Sequence, residues 1–189
     1  QRLIRPDPQP LGTDLRFNWN SGLAQDPFDA ATIYYGSQFL HKSTDRGNSW
    51  SIISPDLTSN DPSMQTFRNS GGITPDVTAA ENYTTIVAVA PSPLEQNTLW
   101  VGTDDGRVHV TRDGGQSWQA LRNGLPQQGC FFTVLRQAMA TDMLDPAGIS
   151  FGSNSGSVFF SADEGDHWNE IARHLPTVLG VEIMVQHSG

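Results

Sequence analysis

Three segments of the chain repeat one pattern of apolar and polar positions: TIYYGSQFLHKS from Thr32, TLWVGTDDGRVHVT from Thr98 and GISFGSNSGSVFFS from Gly148. Each is an apolar run, a Gly-Ser/Thr step, a turn and a second apolar run, which predicts a β-hairpin. The second and third hairpins turn around Asp104-Asp105-Gly106 and Asn154-Ser155-Gly156, whereas the first is two residues shorter between Gly36 and Ser43. Upstream of each hairpin lies a further strand-like segment, RFNWNSGL, TTIVAV and FFTVLRQAM. No apolar spacing of 3.6 residues persists for three turns anywhere, so the pattern is that of an all-β chain.

Directly after each hairpin stands an octapeptide: STDRGNSW at Ser43 to Trp50, TRDGGQSW at Thr111 to Trp118 and SADEGDHW at Ser161 to Trp168. All three obey S/T-x-D-x-G-x-x-W, and a repeat this regular sets the fold before any local feature does. Three residues after each tryptophan come Ile53, Leu121 and Ile171, which predicts a fourth strand opening at the tryptophan and burying alternate residues. One repeat is then a four-stranded antiparallel meander. Such sheets, repeated along a chain and packed face to face, are the blades of a β-propeller. The expected blades are about 14–57, 82–124 and 129–175, with 176–187 as the first strand of a further blade. Three blades are fewer than the roughly four to eight of closed propellers, so the expectation is a partial propeller that a longer parent chain or self-association completes.

Within the octapeptide the aspartate is suited to accept backbone N–H bonds in the turn, the glycine to take a backbone conformation closed to other residues, and the tryptophan to pack into the blade. Asp45, Gly47 and Trp50, then Asp113, Gly115 and Trp118, then Asp163, Gly165 and Trp168 are therefore expected to be structural corner devices. On separate blades the three aspartates stand too far apart to share one substrate or ion.

Composition narrows the functional classes. Twenty acidic against 11 basic residues give a net charge of −9, which argues against nucleic acid and anionic membrane surfaces as partners. No run of 18 apolar residues predicts membrane insertion. A single cysteine, Cys130, excludes an internal disulfide framework. Phosphate-cradling glycine loops, zinc-spaced Cys/His sets and calcium-loop spacing are absent, so no cofactor or metal is expected. The first residue is Gln1 rather than methionine, from which a processed product or part of a longer chain is expected.

S/T-x-D-x-G-x-x-W resembles the Asp-box, or bacterial neuraminidase repeat, of sialidases, xyloglucan-type glycosidases and sortilin-like propellers. RFNWNSGL, TIYYGSQFLHKSTDRGNSW, ISPDLTSNDP, GGITPDVTAAEN and APSPLEQNTLWVGTDDGRVHVTRDGGQSW together resemble bacterial sortilin-like, glycosyl-hydrolase-type repeat proteins over about the first 120 residues. From about Gly124 the chain looks more like smaller repeat propellers labelled exo-sialidase-like. The resemblance implies a propeller that binds glycan or peptide, or a glycosidase-like hydrolase, and an extracellular or periplasmic setting. It does not extend to sialidase chemistry: Tyr34 and Tyr35 occupy repeated strand positions, and LIRPDP is only a loose echo of the arginine signature of those enzymes.

A glycosidase needs two carboxylates across a cleft. In a four-stranded blade the turns between strands two and three share one face with the connections between blades, and the octapeptide corners lie on the other. Candidate acids on the entry face are Asp56, Asp61, Asp76, Glu81, Asp104 and Asp105. Trp19, Arg68 and Tyr83 are candidates for stacking or anchoring a ligand. His41, His109 and His167 read as blade-surface residues at unequal repeat positions.

Overall fold

The computed structural model describes residues 4–6, 14–65, 82–127 and 133–184. These form three antiparallel sheets of four strands, each in simple meander order. The first contains β1 (Leu23–Gln25), β2 (Ile33–Gly36), β3 (Leu40–Ser43) and β4 (Ser51–Ile52). The second contains β5 (Ile86–Pro91), β6 (Leu99–Thr103), β7 (Val108–Thr111) and β8 (Gln119–Ala120). β9 (Val134–Thr141), β10 (Ile149–Ser153), β11 (Val158–Ser161) and β12 (Asn169–Ala172) make the third. The hairpins are in matching register, Gly36 opposite Leu40, Gly102 opposite Val108 and Gly152 opposite Val158. β5 packs on β1 and β2, and β9 on β5 and β6, so the sheets stack face to face in chain order as a partial β-propeller.

The alternation along β6 shows why no sheet is stable alone. Leu99 and Val101 face the first sheet, in a core with Tyr34, Leu40, Leu57 and Ile86. Trp100 faces the third sheet, in a core with Val134, Ile149, Phe151 and Trp168. All five β6 residues are buried, whereas β2 buries only every second one. A two-sided sheet of this kind loses one whole core when either neighbour is removed.

Small residues let the sheets close. An added Cβ on Gly36 would meet Ile86, on Gly102 Val134 and on Gly152 Val178, each contact at 3.2 Å or less. In the same places the Ile86 N–H donates to Ser37 O, and the Val178 N–H to Ser153 O. Residues 176–184 therefore lie on the third sheet as β5 lies on the first, with the Val181 N–H bonded to Gln137 O. They carry no ladder of their own, and Leu179 is 69% exposed.

The octapeptides sit between strands three and four of each sheet. Ser43 Oγ donates to Asp45 Oδ1 (2.8 Å) and accepts from the Gly47 N–H, while Asp45 Oδ1 also accepts from the Asn48 and Ser49 N–H groups. The same bonds recur as Thr111 to Asp113, Gly115 to Thr111 and Ser117 to Asp113, and as Ser161 to Asp163, Gly165 to Ser161 and His167 to Asp163. These bonds favour the ionised carboxylate, holding Asp45 and Asp113 down at about 2 and Asp163 below its ordinary value. Each octapeptide also abuts the preceding turn of its own sheet, through Arg46 N–H to Ala31 O, Gly114 N–H to Asn97 O and Glu164 N–H to Ala147 O.

The corner further acts between sheets. A Cβ on Gly115 (φ +99°) would lie 2.2 Å from Ile53 O, and one on Gly165 (φ +94°) 2.4 Å from Leu121 Cδ1. Trp118 Nε1 donates to Ile53 O at 3.0 Å, and the Trp168 N–H to Asn123 O. Trp100 Nε1 spans the same junction from the other side, to Glu164 O. The tryptophans thus pack at the seam with the preceding sheet as well as in their own. Trp50, with no preceding sheet among the described residues, stacks edge-on with Tyr35, beside Phe17 and Arg5. Ile4 covers Gly47.

Several sequence expectations change. RFNWNSGL is not a strand until Leu23, because Ser21 N–H and Oγ both bond Asn18 O and close a turn. Ile171 is 60% exposed, since no following octapeptide glycine covers it among the described residues as Gly115 covers Ile53. His41 and His109 are buried and occupy equivalent positions on β3 and β7, matched by Phe159 on β11.

Candidate functional site

The end of the sheets opposite the octapeptides is built from the β2–β3, β6–β7 and β10–β11 turns and from the connections between sheets. The Ser59 N–H donates to Asp105 Oδ2 at 2.6 Å, so the described part of the 54–81 connection and the Asp104-Asp105-Gly106 turn meet at one mouth. Asp76, Glu81 and Arg68 lie outside the described residues.

Asp104 is the centre of this mouth. It is only 3% exposed. Its Oδ1 accepts from the Thr85 N–H (2.8 Å), and its Oδ2 from Thr85 Oγ1 (2.8 Å) and Asn18 Nδ2 (3.3 Å). Burial pushes its carboxyl up to about 6 against those hydrogen bonds, with Asp105 adding a smaller push. Its backbone ties three segments, since the Asp104 N–H bonds Thr85 O and Thr133 Oγ1 bonds Asp104 O.

The other described acids are also engaged in hydrogen bonds within the chain. Asp105 Oδ1 accepts from Thr103 Oγ1. Asp56 pairs with Arg16 at 2.9 Å through Oδ2 and takes the Thr58 N–H and hydroxyl on Oδ1. Asp61 caps the 3-10 turn Pro62–Met64, accepting from Ser63 N–H and Oγ, which lowers its pKa. Tyr83 is half-buried, and its phenol is pushed up to about 12 by burial and then by Asp104 and Asp105.

Trp19 is 64% exposed and stands on a turn fixed from both sides. Asn18 Oδ1 accepts the Asn20 N–H, Ser21 Oγ accepts the Asn18 N–H, and Asn18 Nδ2 reaches Asp104 and Asn82 O. The exposed Trp19 thus adjoins Asn18, whose side-chain amide bonds the buried Asp104. Sequence reasoning missed Asn18, Arg16 and the 1%-exposed Gln38, which accepts the Arg16 N–H and donates to Asp14 O. The Asn-Trp-Asn-Ser run was a usable signal, because turn formers crowded into a supposed strand mark a break in it.

Among the described residues no group of three or more His, Cys, Asp or Glu side chains is arranged to hold a metal ion. No described helix is long and apolar enough to cross a membrane.

No protein-family model matches the chain, and no curated protein does. Among solved structures the chain is similar to YCF48 from Cyanidioschyzon merolae, at 14% identity and a TM-score of 0.53 over 86% of this chain and 38% of that one. YCF48 bound to D1 peptide aligns at 15% identity and a TM-score of 0.45, over 83% of this chain and 46% of that one. The GH74 xyloglucanase from Xanthomonas campestris aligns at 22% identity and a TM-score of 0.45, over 79% and 22% of the respective chains. The likeness is one of fold, and the chain spans less than half the length of each of these structures.

Proposed function

We propose that the chain is an Asp-box propeller segment acting as a binding module, with its mouth recognising a glycan or peptide through the exposed Trp19. What carries this reading is the state of the mouth: Asp56, Asp104 and Asp105 spend both carboxylate oxygens on intramolecular bonds and Asp61 spends one, while a large aromatic face is held out on a locked turn. A rigid, half-wet indole is an efficient stacking surface at low entropic cost. The test is titration of Trp fluorescence with soluble oligosaccharides and peptides, in the protein and in Trp19→Ala. Saturable binding abolished by the substitution supports the reading, and binding indifferent to Trp19 refutes it.

Glycoside hydrolysis is the second reading, favoured by one observation, the raised Asp104 pKa, which suits a general acid. At 3% exposure and with both oxygens occupied, Asp104 has no open path to a glycosidic oxygen. A working pair would have to draw on Asp76 or Glu81. Aryl-glycoside turnover lost in Asp104→Asn would establish this reading in place of the first.

We further read 14–57, 82–124 and 129–175 as three blades and 176–187 as the first strand of a fourth. The support is the recurring seat of Ile86, Val134 and Val178 on the glycines of the preceding sheets. On this reading the exposed Ile171 and Leu179 are covered by a further blade, from a longer chain or a second copy. A monodisperse monomer in light scattering, with those side chains fully solvated, would count against it.

A further inference from the structure

A groove of about 260 Å³ runs beside β7 and β8, between the Asp105-Gly106-Arg107 turn and residues 120–127, and Trp19 is not among the residues that line it. His109 forms part of its wall at 8% exposure. Its Nδ1 is buried with no hydrogen-bond partner. The equivalent His41 bonds Ser37 Oγ at 2.8 Å, but in the second sheet the matching hydroxyl, Thr103 Oγ1, is taken by Asp105 and the Arg107 N–H. Nε2 is then the imidazole atom turned to the groove. A buried nitrogen without a proton acceptor favours the tautomer that puts its N–H at Nε2, where it can donate to a ligand.

Two arginines flank this edge. Arg107 and Arg122 both line the groove and form no ion pair among the described residues, whereas Arg16, Arg112 and Arg173 are each paired with a carboxylate. Both positive charges reach the imidazole, since after burial they help hold His109 down at about 4. Gln127 Nε2 is engaged with Arg122 O and Leu125 O, which leaves its Oε1 as an acceptor at the rim.

We propose that this groove binds a small hydroxylated carboxylate such as a uronic acid, with Arg107 and Arg122 holding the carboxylate, His109 Nε2–H donating to it and Gln127 Oε1 accepting a hydroxyl. Guanidinium forks match a carboxylate in plane and charge. Asp105 at the rim disfavours a dianion such as phosphate, and the volume suits one sugar-sized group. The groove shares the Asp105-Gly106 turn with the mouth, but Trp19 does not line it, so the proposal does not depend on the reading of Trp19.

The test is calorimetric titration with D-glucuronate, with glucose and inorganic phosphate in parallel, on the full chain and on Arg107→Gln, Arg122→Gln and the double variant. The expected result is saturable binding of glucuronate alone, weakened at least tenfold by each substitution, with urea stability of the variants unchanged. In NMR the His109 titration should move upward from about 4 on saturation, because an anion now faces Arg107, Arg122 and Asp105 around the ring. That shift is one that a merely structural histidine would not show. No saturable glucuronate binding, equal binding of phosphate or glucose, or binding untouched in the double variant would overturn the proposal. Trp19→Ala should leave glucuronate binding intact, so the two proposals fail separately.

Discussion

Gly115→Ala tests the claim that the octapeptide glycine is a contact between sheets and not only a turn residue. The new methyl would lie 2.2 Å from Ile53 O and 2.8 Å from Ile53 Cβ, and backbone on that side cannot swing away as a flexible side chain can. The φ of +99° adds roughly 1–2 kcal/mol for a residue with a Cβ. Forcing the seam apart adds about 1–3 kcal/mol of overpacking, and stretching the Trp118 Nε1 bond to Ile53 O about 1 kcal/mol. The sum is roughly 4 kcal/mol. Gly114→Ala is the control: its φ is +72°, but its nearest neighbour would be the Asn97 side chain at 3.2 Å, so only the backbone cost of roughly 1–2 kcal/mol applies. Urea unfolding gives both values from the shift in midpoint at constant slope. Equal losses for the two variants would refute the inter-sheet role of Gly115.

Acid stability offers a second test. His41 and His109 are held down at about 4 in the folded chain, so each contributes stability that is complete above its ordinary 6.5 and is lost as the pH falls towards 4, roughly 3 kcal/mol apiece. Asp104, raised to about 6, works in the opposite sense: its contribution is present below 3.8 and is lost as the pH rises through 6, again roughly 3 kcal/mol. The net expectation is a fall of roughly 3 kcal/mol from pH 6.5 to 4, which His41→Phe, copying Phe159 of the third repeat, should nearly flatten. An unchanged slope in that variant would sink the assignment. Ser117→Ala removes the hydroxyl bond to Asp113 Oδ2 and keeps the backbone N–H bond to Oδ1, and should raise the Asp113 pKa from about 2 in an NMR titration. Arg16→Met removes the partner of Asp56 Oδ2 and frees Thr84 O, and should cost roughly 2 kcal/mol in urea unfolding, more than Arg46→Met, whose side chain is exposed.

The all-β class, the three hairpins and the four-strand repeat were legible in the chain, because alternation, turn residues and an octapeptide with its own hydrogen bonds are local properties. Asp45, Asp113 and Asp163 meet their partners within four residues, and nothing distant is needed to close those corners. What a glycine or tryptophan does for its neighbour sheet is not local. Gly115 over Ile53 and Trp118 Nε1 on Ile53 O join residues more than sixty positions apart, and only stacking reveals the contact. The mouth divides in the same way. The turn Asp104-Asp105-Gly106 could be read as a rim of acids, but only the tertiary structure buried Asp104 against Thr85 and Asn18 and left Trp19 outside. The same is true of the two histidines: sequence placed them in strands, and tertiary packing decided that they are buried, one paired with Ser37 and one left with a nitrogen unpaired. Periodicity determines which residues share a face, while burial and pKa depend on what is stacked against that face, which the chain specifies only through its fold.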